Sequence, residues 1–300
     1  MQDTVDRGTG AATPHNENVI LLRDRRRLAY AEYGNPRGRP LFFFHGLPGS
    51  RLEASITDAR AREHGVRIIA PDRPGFGLSD FQGRRRITGW PSDVVQLADA
   101  LGIERFAVAG ISGGGPYALA CAWAIPERLT ATGVISGVGP MWHSGANEGM
   151  SLQNRIIFGL SRISPATARI PMLLMEQMLR RMPDRMADQM MKAMPEPDRR
   201  VIEDPAVKAM FMEDAVEALR HGSRGAAFES WLFTRPWGFQ LEDVRAPVRL
   251  WQGGADVNVP IAMAREMASR LPNCIATYYE DEGHLLAVTH MEEILSALAP

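Results

Sequence analysis

A serine hydroxyl becomes a useful nucleophile only where a base can take its proton. Ser112 is set for that purpose, in Val108-Ala109-Gly110-Ile111-Ser112-Gly113-Gly114-Gly115-Pro116, a Gly-x-Ser-x-Gly pentapeptide framed by Gly110 and Gly114. The apolar run from Phe106 to Ala109 reads as a strand, and Tyr117 to Trp123 reads as a helix. A serine at the tip of so sharp a strand-to-helix turn is strained, so the residues two before and two after it must be nearly free of side chain. The helix start aims backbone N–H groups at the same spot. A glycine-rich turn can instead cradle a phosphate. Here the G-x-x-x-x-G-K-[ST] pattern is absent, and the glycines do not fall in G-x-G-x-x-G order.

Histidine titrates in the range a general base needs. Of the seven histidines, His15 falls in a polar N-terminal stretch, and His64, His143, His221 and His290 have helix or insertion contexts without a turn signal. His284 follows Tyr279-Glu280-Asp281-Glu282-Gly283, a strand end and a glycine, which delivers its side chain to the C-terminal edge of a sheet. It is the expected base, with His290 its nearest competitor.

The elements that must position these groups alternate. Strand-like runs at Val19–Leu22 and Leu28–Tyr33 form a hairpin, and Pro40–Phe44 is wholly apolar, as for a strand covered on both faces. A helix is expected over Leu52–His64, a strand over Val66–Pro71 and a helix over Pro91–Leu101. Further strands follow at Ala131–Ser136, Val248–Gln252 and Ile275–Glu280, with helices at Ile261–Arg270 and Glu292–Leu298. That alternation implies an α/β fold, a mostly parallel central sheet flanked by helices, with ligands gathered at the strand C-termini. Between Gly139 and about Phe239 no strand is legible. Twelve of the sixteen methionines lie there, and Met175, Met178, Met182, Met186 and Met190 recur at helical spacing, with Pro183 expected to break the stripe. Residues 140–239 therefore read as an inserted helical lid or cap, residues 18–139 and 240–300 as the core, and residues 1–17 as a disordered leader.

Composition sets the remaining bounds. Three hundred residues at 45% hydrophobic content can bury a large core. A net charge of −1 gives no global attraction to nucleic acid or to an anionic membrane. The triplets Arg25–Arg27 and Arg84–Arg86 read as solvated positions. Cys121 and Cys274 lie far apart without metal spacing, Cys121 reads as core, and no metal or cofactor is called for. No signal peptide and no membrane span are indicated, so a cytoplasmic location is expected. Oligomeric state is not legible.

From Val19 to Pro300 the chain resembles the α/β-hydrolase family. Four motifs fall in the family's order: His45-Gly46-Leu47-Pro48-Gly49, Asp72-Arg73-Pro74-Gly75-Phe76-Gly77-Leu78-Ser79, the Ser112 elbow, and Asp256 with His284. The resemblance implies a catalytic triad of Ser112, Asp256 and His284. Asp256 follows the strand Val248–Gln252 and the turn Gly253-Gly254-Ala255, at a position that resembles the family's G-x-x-D; Asp281 and Glu282 are the alternative acids. The resemblance also implies an oxyanion hole from the backbone N–H groups of Leu47 and Gly113. His45 has a structural role in the oxyanion loop, Pro48 and Gly49 set its turn, and the Asp72–Ser79 run braces the site from behind.

A serine at the elbow sets aside the dehalogenases and epoxide hydrolases of the family, which use aspartate there. Leu47 breaks the His-Gly-Gly-Pro-Gly pattern of proline aminopeptidases of this fold. The expected reaction is hydrolysis of a small apolar carboxylic ester through an acyl-enzyme. Carbon–carbon bond hydrolysis, a cofactor-free perhydrolase activity and a low-turnover ligand receptor are the alternatives. Leu47, Met141, Trp142 and the lid methionines imply an apolar pocket.

Overall fold

A computed structural model describes residues 17–142 and 145–299. Apart from Glu17, the leader lies outside the described residues, as do His15 and His143. Eight strands make one sheet: β1 (Asn18–Leu21), β2 (Arg27–Gly34), β3 (Arg39–Phe44), β4 (Val66–Pro71), β5 (Phe106–Ile111), β6 (Leu129–Ile135), β7 (Val248–Gly253) and β8 (Cys274–Tyr279). Their order is β1-β2-β4-β3-β5-β6-β7-β8. β1 and β2 form an antiparallel hairpin, β2 runs antiparallel to β4, and the rest are parallel. The parallel strands therefore end on one edge.

The central strands are apolar on both faces because helices cover both. In β3 and β5 the alternation of side chains sorts residues between two cores. Phe42, Phe44, Phe106 and Val108 face one core, with Val94 and Leu97 of helix α2 and Tyr117 and Leu119 of helix α3. Leu41, Phe43, Ala107 and Ala109 face the other, with Ala61 of helix α1 and Ile294, Leu295 and Leu298 near the C-terminus. These helices are α1 (Asp58–Glu63), α2 (Trp90–Ala100) and α3 (Gly115–Ala124).

Between β6 and β7 come six α-helices and no strand among the described residues: α4 (Leu152–Ile163), α5 (Pro165–Arg181), α6 (Pro183–Ala193), α7 (Glu196–Ile202), α8 (Pro205–Ala218) and α9 (Arg224–Phe233). The chain finishes with α10 (Ile261–Arg270), α11 (Leu286–Thr289) and α12 (Met291–Leu298). Pro183 separates α5 from α6: it lacks an N–H, so it opens a helix at no hydrogen-bonding cost but cannot continue one. Met186 is buried in a cap cluster with Met172 and Leu179, and Met175, Met178 and Met190 pack against it. Met182, at the break, is 42% exposed.

Two local expectations need correction. Residues 52–64 are not one helix but a 3-10 turn, Arg51–Thr57, followed by α1. Arg51 is drawn into the interior there by Asp72 at 2.9 Å and Glu217 at 2.5 Å. The arginine triplets are not simply solvated. Arg26 holds Asp93 with two hydrogen bonds, and Arg85 is buried against Glu229. In each case the partner is remote in sequence.

Candidate active site

β5 carries the chain to Ser112, which adopts φ +51°, in the left-handed region. A non-glycine residue held there costs on the order of 1–3 kcal/mol and persists only where its surroundings over-determine it. The neighbouring backbones do so. A Cβ on Gly110 would lie 2.2 Å from the Gly114 carbonyl oxygen, and one on Gly114 would lie 2.1 Å from that of Phe44. Only glycine lets strand, turn and β3 approach so closely. The Ser112 carbonyl also accepts the Val138 N–H at 2.9 Å, tying the elbow to the chain after β6.

The same region holds the loop after β8. Ser136, at the end of β6, donates its N–H to the Trp251 carbonyl of β7 at 2.9 Å and its hydroxyl to the His284 carbonyl at 3.1 Å. His284 Nδ1 stands 2.8 Å from Asp256 Oδ2. Asp256 is fixed in turn: Oδ1 accepts the N–H groups of Asn258 and Val259, and Oδ2 accepts Gln252 Nε2 at 2.9 Å. With the carboxylate accepting at Nδ1, the proton of the neutral ring sits there and Nε2 keeps its lone pair. Burial works against a charged ring, but the charge and hydrogen bond of Asp256, with Asp198 and Glu53 behind them, outweigh it and raise the His284 pKa above its ordinary value.

Asp198 comes from α7 in the cap. Its Oδ1 accepts the Leu285 N–H at 2.8 Å, and a Cβ on Gly283 would lie 2.3 Å from that same oxygen. The cap thus seats the loop that carries His284. His290 is engaged elsewhere, stacked on Tyr279 with ring centres 3.8 Å apart and 3.3 Å from Glu282. Glu282 is thereby occupied, and Asp281 is exposed.

On the other side of Ser112 lies the loop after β3. A Cβ on Gly113 would stand 3.3 Å from the Leu47 nitrogen, so the two backbones face each other closely. His45 Nε2 accepts the Arg73 N–H at 3.1 Å, and its Nδ1 reaches the Gly46 carbonyl at 2.9 Å. Burial first, and then the Arg73 guanidinium, hold the His45 pKa well below its usual range, so this ring stays neutral as a spacer. Arg73 also donates to the carbonyls of His45 and Gly46. The guanidinium of Arg73 and that of Arg85 meet the fully buried Glu229 of α9, and Tyr117 donates its hydroxyl to the same carboxylate at 2.8 Å. Asp72 accepts from Arg51 and from the Leu78 N–H.

Glu53, which sequence alone did not single out, stands at the same loop. Its Oε2 accepts the Gly46 N–H at 2.6 Å, and a Cβ on Gly46 would be 3.5 Å from both Glu53 Oε1 and Ser112 Cβ. Burial pushes this carboxyl up to about 7. Asp214 of α8 accepts both the N–H and the hydroxyl of Ser50 in the same loop, and burial, then the nearby Glu53 charge, raise its pKa as well.

Residues 41–297 match the model of the alpha/beta hydrolase family. The chain belongs to that family. An esterase from Exiguobacterium antarcticum superposes with a TM-score of 0.70 at 18% identity, covering 94% of this chain and 97% of that one. An uncharacterized hydrolase of Bacillus subtilis, YcgS, is 26% identical over 88% of this chain and 90% of its own length. A proline iminopeptidase of Xylella fastidiosa is 36% identical, but over only 42% of this chain and 41% of its own length.

In this chain the structure brings Asp256 to His284, and Leu47 and Gly113 to each other, around the Ser112 turn. Of the expected pocket residues, Leu47 packs against both the main core and the cap cluster. Met141 is fully buried in the main core, while Trp142 meets Trp237 edge-on at 5.6 Å. Sequence reading missed Glu53, Asp198, Asp214 and Glu229. The available signal for Glu53 was an acid four residues after Gly49, on the loop expected to hold an oxyanion.

Proposed function

We propose that this hydrolase cleaves a small apolar carboxylic ester through an acyl-enzyme on Ser112. His284 Nε2 takes the Ser112 proton as the hydroxyl oxygen attacks the acyl carbon. Asp256 holds the imidazole in the required tautomer and offsets the positive charge it gains. The Leu47 and Gly113 N–H groups receive the developing oxyanion. His284 then protonates the leaving alkoxide, and a water activated by the same ring resolves the acyl-enzyme. The observation that carries this reading is the imidazole locked by a fully clothed carboxylate, on the sheet edge where Ser112 is held at positive φ.

Residues 140–239 act as a lid over a core of residues 18–139 and 240–300. The apolar wall where Leu47 joins the cap methionines favours an acyl group without charge. The likeness to an esterase supports the ester as the scissile group. Two unpaired cysteines fit a reducing, cytoplasmic setting.

Turnover of p-nitrophenyl acetate and butyrate, with fluorophosphonate labelling lost in Ser112→Ala, is the expected result. Labelling that persists in that variant overturns the nucleophile. Stoichiometric binding of the esters without turnover marks a receptor instead, and a preference for a vinylogous diketone marks a carbon–carbon bond hydrolase.

A further inference from the structure

Helices α4 and α5 are apolar on two sides. Their inner sides are accounted for: Phe158 of α4, and Ala168, Met172 and Leu179 of α5, are buried. Their opposite sides carry Leu152, Ile156, Ile163, Ile170, Leu173 and Leu174, exposed by 42–71%. Packing onto the core needs one apolar stripe per helix, and a second stripe on the far side has no use in an isolated globule. Among the described residues, these six are half of the twelve large apolar side chains that stand exposed. Four of the others sit on the edge strands β1 and β8, two on each.

The exposed charge carried by these two helices is of one sign. No aspartate or glutamate occurs between Glu148 and Glu176, whereas Arg155, Arg162 and Arg169 recur seven residues apart, all exposed. Arg180 and Arg181 follow at the end of α5. Glu176 itself is nine-tenths buried and binds Arg180 and the Ser223 N–H. In a chain of net charge −1 this concentration of arginine on an apolar face is a local departure.

We propose that the outward faces of α4 and α5 dock the protein on a lipid surface bearing anionic headgroups. The isoleucines and leucines enter the boundary between headgroups and acyl chains, and the arginines meet the phosphates. A second copy of this chain fits poorly, because pairing the face with itself opposes arginine to arginine. The first sixteen residues fit poorly too, since Met1 and Val5 are their only large apolar side chains. The proposal stands apart from the chemistry at Ser112.

The test is flotation of the full chain with vesicles of phosphatidylcholine alone and of phosphatidylcholine with about one third phosphatidylglycerol. Binding is expected to the mixed vesicles, at least about ten-fold above the neutral ones, and to weaken in high salt. Arg155→Gln and Arg169→Gln should each lower binding to the mixed vesicles by about five-fold. Ile163→Gln and Leu174→Gln should each lower it by about ten-fold or more. An unchanged melting temperature and unchanged fluorophosphonate labelling of these variants show that the fold and site persist. Absence of binding to either vesicle overturns the proposal, as does binding that the four variants leave intact. A dimer in sedimentation that Ile163→Gln or Leu174→Gln converts to monomer also overturns it, in favour of a contact between copies. So does capture by an acidic protein together with failure to float.

Discussion

The core and the cap are held by different mixtures of forces. The core buries two apolar clusters, one on each side of the sheet, and its strands are placed by hydrophobic burial and ladder pairing. The cap has a smaller apolar cluster of its own, adds Met150, Phe158, Phe233 and Trp237 to the main core, and also reaches the core through buried carboxylates. Asp198 meets the His284 loop, Asp214 meets Ser50, Glu217 meets Arg51, and Glu229 meets Arg73 and Arg85. Hydrophobic contact is non-directional, whereas a carboxylate holding two donors fixes an orientation. A helical insertion held this way as well as by apolar contact is fixed in one register. Asp198 thus reaches the loop carrying His284, Asp214 the loop after β3, and Glu229 the Arg73 side chain that donates to the same loop's carbonyls.

The sharpest way to separate the two regions is to remove the chemistry without touching the latch. Ser112→Ala or His284→Ala should each lower kcat by about 10⁴-fold or more, while the urea midpoint stays close to the parent's. A variant that loses both activity and stability would show that the elbow is also a folding element. The converse break is Glu229→Ala, which leaves Arg73 and Arg85 buried without their counter-charge. Its expected cost is about 3–5 kcal/mol by urea unfolding, the range for breaking a buried ion pair from one side. A loss below about 1 kcal/mol would mean the cap does not depend on this contact.

Next in size is Asp198→Asn. The amide still accepts the Leu285 N–H but no longer carries charge toward His284. The acid limb of kcat/KM reports the His284 pKa, because the base must be neutral to act, so activity rises with pH through it. Removing one of the carboxylates that raise that pKa should move the limb to lower pH by a fraction of a unit, with kcat changed only a few-fold. A limb that does not move would leave Asp198 as a structural contact for the loop alone.

How much of this was readable beforehand follows from where each partner lies. The Ser112 turn is a local rule: strand, small residues and helix lie within about a dozen positions, and steric crowding dictates the glycines. The sheet was legible for the same reason, since Phe42, Phe44, Phe106 and Val108 announce a strand covered on both sides. The helical cap showed itself by the loss of strand pattern and by the methionine spacing, with Pro183 marking its break. Buried charge was not legible. Arg85 looks like any arginine in a basic triplet, and only Glu229, 144 residues away, makes it an interior residue. Asp214 and Ser50 are separated by 164 residues. Whether an ion is buried depends on a partner that local sequence does not reveal.

The smallest effect concerns Glu53, where the two regions meet beside Ser112. Its pKa is raised from an ordinary 4.5 to about 7, so between those values the folded protein binds more protons than the unfolded chain. Its contribution to stability is therefore full below about pH 4.5 and is lost as pH rises through about 7. Glu53→Gln keeps an oxygen for the Gly46 N–H and removes the ionisation. The variant should be more stable than the parent at pH 8, by about 1–3 kcal/mol, and the advantage should vanish near pH 4.5. Asp72, raised to about 6 by burial despite Arg51, leaves a residual slope of the same sign in both proteins. Equal urea midpoints for the two proteins at pH 8 would show that Glu53 ionises in the native state without penalty, near its ordinary 4.5. The loop beside Ser112 would then carry a negative charge, opposing the oxyanion that Leu47 and Gly113 are proposed to hold.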